Sequence, residues 1–111
     1  VKELAAYLQS YIIVKGAWTT IVTPEGNFYF NPTGNPGMAT GGSGDVLTGI
    51  LLGLLAQGYT REEACRLGVY IHGLAGDIAA EAKTEIGMTA HDIVEALPVA
   101  WKKITSISPK I

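Results

Sequence analysis

A loop with the composition of an anion-binding site lies in the first half of the chain. Residues 31–47 read NPTGNPGMATGGSGDVL, and the segment that follows is apolar. Glycines let the backbone approach a ligand closely, and the first turn of a helix offers N–H groups without intrahelical acceptors and a partial positive charge. Ser43 adds a hydroxyl donor. The pattern predicts that Gly41-Gly42-Ser43-Gly44 binds phosphate or another anion.

This loop differs from the two most familiar phosphate-binding loops. A Walker A loop ends in Gly-Lys-Ser/Thr, and a Rossmann turn has the pattern Gly-x-Gly-x-x-Gly with an acidic residue downstream. Residues 41–45 read GGSGD, which matches neither pattern. We therefore interpret it as a different way of presenting backbone donors to an anion.

Asp45 follows the glycines directly, and two interpretations of it are open. A carboxylate beside a phosphate site repels the ligand unless it has a role there. It could cap the helix, which is typically favourable by about 1 kcal/mol. It could instead be a general base that takes a proton from a substrate hydroxyl while neighbouring N–H groups stabilise a phosphoryl group in transfer. The tetrapeptide Gly-Ser-Gly-Asp is compatible with both.

Strands are predicted in the first third of the chain. A helical pattern over residues 1–9 precedes the run Tyr11-Ile12-Ile13-Val14, which is typical of a buried strand. Residues 19–23 and 27–30 flank Pro24-Glu25-Gly26, whose proline and glycine favour a turn. These two segments are predicted to form a β-hairpin.

Helices are predicted for the remainder. Residues 46–57 form an apolar segment that ends before Gly58, and we assign its Gly49 and Gly53 to close packing in the core. The sequence Thr60-Arg61-Glu62-Glu63 matches a capping box and predicts a helix that ends near Lys83.

The C-terminal region has a second capping signal. Thr89-Ala90-His91-Asp92 has the capping-box spacing before an apolar segment. Proline is favoured at the first position of a helix, so Pro98 is predicted to lie in the first turn of a separate last helix that includes Trp101.

Composition limits the class of protein. The chain has 111 residues, 48% of them hydrophobic, a mean hydropathy of +0.26 and a net charge of -2. A chain of this length forms one domain at most. It has neither the basic patch of a nucleic-acid-binding protein nor an apolar stretch long enough for a membrane span. The single cysteine, Cys65, is expected to be a buried small side chain and suits a cytoplasmic location.

Several longer segments together resemble one family. Val14-Lys15-Gly16-Ala17, NPTGNPGMATGGSGDVLTGI, HGLAGDIAAE and TAHDIVEALP are similar to the C-terminal half of the ADP- or ATP-dependent NAD(P)H-hydrate dehydratases, the YjeF C-terminal domain family. The resemblance implies an α/β fold, namely the C-terminal part of a ribokinase-like three-layer αβα domain over residues 1–111, with strands and a hairpin first and then several helices. It also implies nucleotide-dependent dehydration of S-NAD(P)HX to NAD(P)H.

The same resemblance implies roles for individual residues. Asp45 would be the catalytic base and contact the substrate ring. ADP or ATP would be the co-substrate, with Mg²⁺ on its phosphates, and no metal ligand is identified in the chain. The residues that match nucleotide-binding positions of the family are Lys15, Gly16, Ala17, Trp18, Thr19, Asn35, Pro36, Gly37, Met38, Ala39, Thr40, Gly41, Gly42, Ser43 and Gly44.

Three other polar residues are assigned mainly structural or solvent-exposed positions. His72 lies between apolar residues, and we interpret it as packed or hydrogen-bonded rather than as a ligand or base. Asp77 could contact the edge of the nucleotide, but a helix-capping or solvent-exposed role is favoured. His91 is expected to be exposed in the first turn of a helix.

Two alternative functions stay open from the sequence. One is a ribokinase-like kinase of a small alcohol such as a sugar or a vitamin precursor. The other is a catalytically inactive fragment that oligomerises through the surface a missing N-terminal half would cover. We expect small-molecule partners, a homo-oligomer, and neither nucleic acid nor membrane as a partner.

Overall fold

The computed structural model describes residues 10–15 and 19–107. The helix predicted over residues 1–9 and the candidate site residues Gly16, Ala17 and Trp18 lie outside these ranges. None of the helices in the described ranges is both long enough and apolar enough to cross a lipid bilayer.

The strands form a three-stranded antiparallel sheet in the order β1-β2-β3. Strand β1 spans Ile12–Val14, β2 spans Thr20–Val22 and β3 spans Phe28–Phe30. Ile13 pairs with Ile21, and Ile21 pairs with Tyr29, so these three side chains share one face of the sheet.

The turn between β2 and β3 confirms the predicted hairpin. The N–H of Gly26 donates to the carbonyl of Thr23 at 3.0 Å, and the N–H of Thr23 donates to the carbonyl of Asn27 at 2.9 Å. Gly26 has φ 88°, a backbone angle that favours glycine. The chain therefore reverses direction at the turn that the sequence predicts.

Three helices follow the sheet. Helix α1 spans Ser43–Ala56, α2 spans Arg61–Lys83 and α3 spans Ala90–Ile107. Helix α1 begins two residues before the start predicted near Asp45. Helix α2 begins with the predicted capping box, in which Glu63 N–H donates to Thr60 Oγ1 and Thr60 N–H donates to the Glu63 carboxylate.

The prediction of a separate last helix beginning at Pro98 is wrong, because α3 runs through this residue without a break. Pro98 removes one backbone donor, but its ring lies on the exposed side of the helix. On the other side Ile93, Ala96 and Ala100 are buried against α2. Packing of this apolar stripe maintains the helix on both sides of the proline.

Helix α2 lies at the centre of the described structure. Its Ile71, Ala75 and Ala79 form the larger core cluster with α3. Its Val69 joins Ile21 of β2 and Leu47 of α1 in a smaller cluster, which places the sheet against the helices. This arrangement confirms the α/β fold class.

Gly49 and Gly53 are not core residues, so that prediction is wrong. Both are exposed, and a β-carbon added at either would meet no atom within 4 Å. The close contact between α1 and α2 is made instead at Gly68, where an added β-carbon would lie 2.7 Å from Leu51 Cδ2. The glycine that permits helix packing is therefore on the partner helix.

Candidate functional site

A cleft of about 690 Å³ lies between the glycine-rich loop, the start of α1 and the middle of α2. It brings together side chains that are distant in sequence, notably Lys15, Ser43 and His72. Of the residues predicted to bind nucleotide, those that line this cleft are Lys15, Thr19, Asn35, Pro36, Met38, Ala39 and Ser43. We take it as the candidate functional site.

Other predicted residues lie beside the cleft rather than in its lining. Gly37, Thr40, Gly41, Gly42, Gly44 and Asp45 belong to the same continuous segment of chain but do not line the cavity. Thr40 accepts a hydrogen bond from the N–H of Ser43 at 3.2 Å, which closes the turn before α1. Gly41 is exposed with open space around it.

The first turn of α1 presents backbone donors. Its N-cap is Gly42, which has φ 91° and carries no side chain to occupy the helix end. The N–H of Val46 bonds to the carbonyl of Gly42 at 3.1 Å. In the described part of the chain no acceptor bonds to the N–H groups of Gly44 and Asp45. The helix end therefore has the unpaired donors that an anion site needs.

Lys15 adds positive charge at this point. A β-carbon built on Gly44 would lie 3.6 Å from Lys15 Nζ, so the ammonium group lies beside the first turn of α1. An ammonium and a helix N-terminus both attract anions. Their convergence from separate parts of the sequence favours a phosphate-sized anionic ligand.

Asp45 does not cap the helix. Gly42 holds the cap position, no side chain makes a cap hydrogen bond, and Asp45 is in the first turn with its side chain exposed. Among residues 10–15 and 19–107 its carboxylate accepts no hydrogen bond. Of the two interpretations of Asp45, the helix cap is wrong, and the carboxylate is accessible to a bound molecule.

His72 lies beneath the loop and is 5% exposed. Its Nε2 is 3.0 Å from the carbonyl oxygen of Ser43 and 3.3 Å from Ser43 Oγ. A nitrogen facing a carbonyl must carry the hydrogen, so we assign the tautomer in which Nε2–H donates to Ser43. The prediction of a packed, hydrogen-bonded histidine is confirmed. Burial lowers the pKa of His72, repulsion by Lys15 lowers it further, and the bond to Ser43 opposes both.

This lowered pKa predicts a pH-dependent stability. Between the folded pKa and the ordinary value near 6.5, the unfolded chain binds a proton that folded His72 does not. The free energy of unfolding should therefore fall as the pH decreases through about 6.5, with a slope of at most about 1.4 kcal/mol per pH unit. His72→Gln, which retains a donor for Ser43, should flatten this slope in urea unfolding between about pH 5.5 and 7.5.

The control is Gln57→Asn at the exposed end of α1, which lies outside the cleft and changes no titratable group. This variant should leave the slope as in the parent protein. An unchanged slope in His72→Gln would contradict the assignment.

The polar residues around residues 31–35 bind this segment to α2. Asn31 Nδ2 donates to the carbonyl of Thr33 at 3.0 Å and lies 3.4 Å from that of Val69. Thr33 Oγ1 donates to the carbonyl of Tyr70 at 3.0 Å. The carboxylate of Asp77 also accepts hydrogen bonds from the loop. The sequence favoured a helix-capping or solvent-exposed role for Asp77, and this prediction is wrong. These contacts join the loop to a helix about 40 residues later in the chain.

Close approach of the loop to α2 depends on two glycines that sequence reasoning did not single out. A β-carbon at Gly73 would collide with Thr33 Oγ1 and lie 2.8 Å from the Thr33 carbonyl carbon. A β-carbon at Gly76 would collide with the side chain of Met38. The spacing of Gly73, Gly76 and Asp77 on one helix face is the signal that could have identified this support.

The described residues give no cluster of three or more His, Cys, Asp or Glu side chains that could hold a metal ion by itself. A second cleft of about 620 Å³ lies between β3 and α2, where the guanidinium of Arg66 stacks 4.1 Å from the centroid of the Tyr29 ring. Neither Lys15 nor the start of α1 lines this second cleft. The first cleft therefore has the stronger claim as the functional site.

Comparison with known proteins gives related sequences. A sequence model of the NAD(P)H-hydrate dehydratase family matches residues 1–99. A bifunctional NAD(P)H-hydrate repair enzyme of Thermofilum pendens is 51% identical over 102 residues, which are 92% of this chain and 20% of that protein. The ADP-dependent (S)-NAD(P)H-hydrate dehydratase of Bacillus subtilis is 39% identical over 92% of this chain and 37% of its own length. The chain thus spans well under half of the length of these relatives.

Solved structures agree in fold. The ADP/ATP-dependent NAD(P)H-hydrate dehydratase of Bacillus subtilis, co-crystallised with ATP and Mg²⁺, has a TM-score of 0.86 and 39% identity over 92% of this chain and 37% of that chain. A ribokinase-like superfamily protein of Enterococcus faecalis has a TM-score of 0.78 and 43% identity over 92% of this chain and 35% of that one. The α/β architecture described above is therefore ribokinase-like, and the chain belongs to the NAD(P)H-hydrate dehydratase family.

Proposed function

We propose that this chain forms the phosphate-binding part of an enzyme that uses ADP or ATP to dehydrate the S epimer of hydrated NADH or NADPH. The observation that carries the proposal is the convergence of Lys15 with the unpaired N–H groups at the start of α1, beside the exposed carboxylate of Asp45. Relatives named for this reaction and the Bacillus subtilis structure with ATP and Mg²⁺ support it.

In the proposed reaction, Asp45 removes the proton from the hydroxyl group on the hydrated nicotinamide ring. The hydroxyl oxygen then forms a bond to the terminal phosphorus of the nucleotide, and the bond from this phosphorus to the bridging oxygen breaks. This first stage leaves AMP from ADP or ADP from ATP. In the second stage the ring carbon–oxygen bond breaks, inorganic phosphate leaves with the bonding electron pair, and the adjacent carbon gives up a proton to water, which restores the double bond.

The backbone donors of Gly44 and Asp45 and the ammonium of Lys15 have a separate role in this proposal. They would neutralise charge on the phosphoryl group, which is the main contribution a protein makes to phosphoryl transfer, and their proximity to one another supports this role. Mg²⁺ is usually held by one or two carboxylates together with nucleotide phosphates and water. The described residues contain no cluster of carboxylates that could hold the ion by itself, so nucleotide phosphates and water would supply most of its ligands, and the ion would add charge neutralisation at the phosphates.

Replacement of Lys15 should weaken nucleotide binding. Lys15→Gln removes the positive charge beside the first turn of α1 and should raise the KM for ADP or ATP by about tenfold or more, since a charge-assisted contact contributes roughly 1.5–3 kcal/mol. Steady-state kinetics with varied nucleotide measures this. The control is Lys102→Gln at an exposed position of α3, which should change the KM by less than about twofold. Equal values for both variants would contradict the role of Lys15.

The proposed activity is tested by recovery of reduced-nicotinamide absorbance. The full-length gene product that contains these residues is incubated with S-NADHX or S-NADPHX and either ADP or ATP. Recovery that requires nucleotide supports the proposal. No recovery by a folded protein that binds nucleotide would reject it, and a stable phosphorylated alcohol formed from a sugar or vitamin precursor would favour the kinase alternative.

The proposal also includes a cytoplasmic homo-oligomer with small-molecule partners and neither nucleic acid nor membrane as a partner. Light scattering over a range of protein concentrations tests the assembly. A constant monomer mass would reject the oligomer while leaving the reaction untouched.

A further inference from the structure

Two side chains link α2 to the loop by a directed series of hydrogen bonds. The carboxylate of Asp77 accepts from the N–H of Gly34 at 3.0 Å with one oxygen and from Asn35 Nδ2 at 2.9 Å with the other. Asn35 Oδ1 in turn accepts from the N–H of Gly37 at 2.9 Å. Asn35 thereby caps the short 3-10 helix Pro36–Met38.

The two side chains differ in their relation to the cleft. Asn35 lines it together with Lys15 and Ser43, whereas Asp77 is not part of the lining. Both oxygens of Asp77 already accept hydrogen bonds from the loop. Asp77 therefore contacts the cleft indirectly, through the segment that it holds.

The backbone conformation at Gly34 depends on support of this kind. Gly34 has φ 110°, which few side chains tolerate, and glycine also permits many other conformations when it is not held. A bond at Gly34 and a second at Asn35 fix the two residues that precede the 3-10 helix.

We infer that Asp77 is a positioning residue for nucleotide binding, which acts through Asn35 to hold residues 34–38 in the conformation that faces the ligand. This inference rests on the proposed function, because the ligand it concerns is ADP or ATP. It assigns to α2 a role in nucleotide affinity that is separate from the proton transfer at Asp45.

The order of donors and acceptors in this series makes the inference testable. A carboxylate only accepts, whereas an amide both accepts and donates. In Asp77→Asn, one N–H donor must face another N–H donor, so one bond is lost whichever way the two amides are turned. In Asn35→Asp, two carboxylates face each other. The double variant, with Asp77→Asn and Asn35→Asp together, restores a donor opposite an acceptor at all three contacts.

The experiment compares the parent protein, the two single variants and the double variant as full-length gene products. Calorimetric titration with Mg-ADP and Mg-ATP gives the Kd, and steady-state kinetics separates KM from kcat. Asp77→Asn should raise the Kd and KM by about fivefold or more. Asn35 itself lines the cleft, so Asn35→Asp and the double variant are compared with Asp77→Asn by amide hydrogen exchange without nucleotide, where directly coupled residues should restore the parent behaviour. The value of kcat for Asp77→Asn should change by less than about twofold, since the base and the substrate are untouched.

The control is Glu81→Gln, one turn further along α2 and exposed, which should leave the Kd unchanged. Amide hydrogen exchange at Gly34 and Gly37 adds a readout without nucleotide: exchange should be faster in each single variant and return to the parent rate in the double variant. An Asp77→Asn variant that binds nucleotide as the parent does, or a double variant whose Gly34 and Gly37 amides exchange as fast as those of the single variants, would overturn the inference alone. A folded parent protein that binds neither nucleotide would overturn the proposed function and this inference together.

Discussion

Asp45→Asn should lower kcat for the dehydration of S-NAD(P)HX by about 10²–10⁴-fold, which is the usual contribution of a general base. Asparagine has nearly the same shape as aspartate but cannot accept the hydroxyl proton. Asp45 makes no side-chain cap bond at the start of α1, so the substitution should leave the helix intact. The measurement is the initial rate of reduced-nicotinamide recovery at saturating nucleotide.

The KM for nucleotide separates this role from a loss of binding. Removal of a negative charge beside the phosphate site should leave the KM for ADP or ATP unchanged or lower it, while kcat falls. Glu81→Gln is the matched carboxylate-to-amide control on the exposed surface of α2 and should retain the parent kcat. An Asp45→Asn enzyme with a kcat within threefold of the parent would exclude Asp45 as the base.

Gly73→Ala and Gly49→Ala should change stability in opposite directions. At Gly73 the new methyl group would collide with Thr33 where the loop lies against α2, and overpacking of this kind costs about 1–3 kcal/mol. Because alanine is also a better helix former by about 1 kcal/mol, we expect a net loss of up to about 2 kcal/mol. The free energy of unfolding in urea gives this value directly.

The same substitution at Gly49 is the control. Gly49 lies inside α1, is exposed, and has no atom within 4 Å of an added β-carbon. Only helix propensity then changes, so the variant should be more stable by about 1 kcal/mol. Gly73→Ala should also weaken nucleotide binding, because Thr33 must move from its bond to Tyr70. Stabilisation by both substitutions would show that the loop does not depend on close approach to Gly73.

The elements that depend on local chemistry were predictable from the sequence. The hairpin at Gly26 and the capping box at Thr60 each rest on residues within four positions of one another. The glycine-rich segment before an apolar helix was recognisable for the same reason. Pro98 shows the limit, because the packing of α3 on α2 outweighs the local preference of proline for a helix start.

The sequence by itself therefore determined the type of site: a flexible backbone at a helix start, a nearby carboxylate, and segments typical of one family. Only the tertiary structure decided that Lys15 approaches Gly44, that His72 supports Ser43, and that Gly73 and Asp77 hold the loop. These contacts join residues that are about 30 to 40 positions apart in the chain. Their formation depends on how the core packs around α2, which no local spacing specifies.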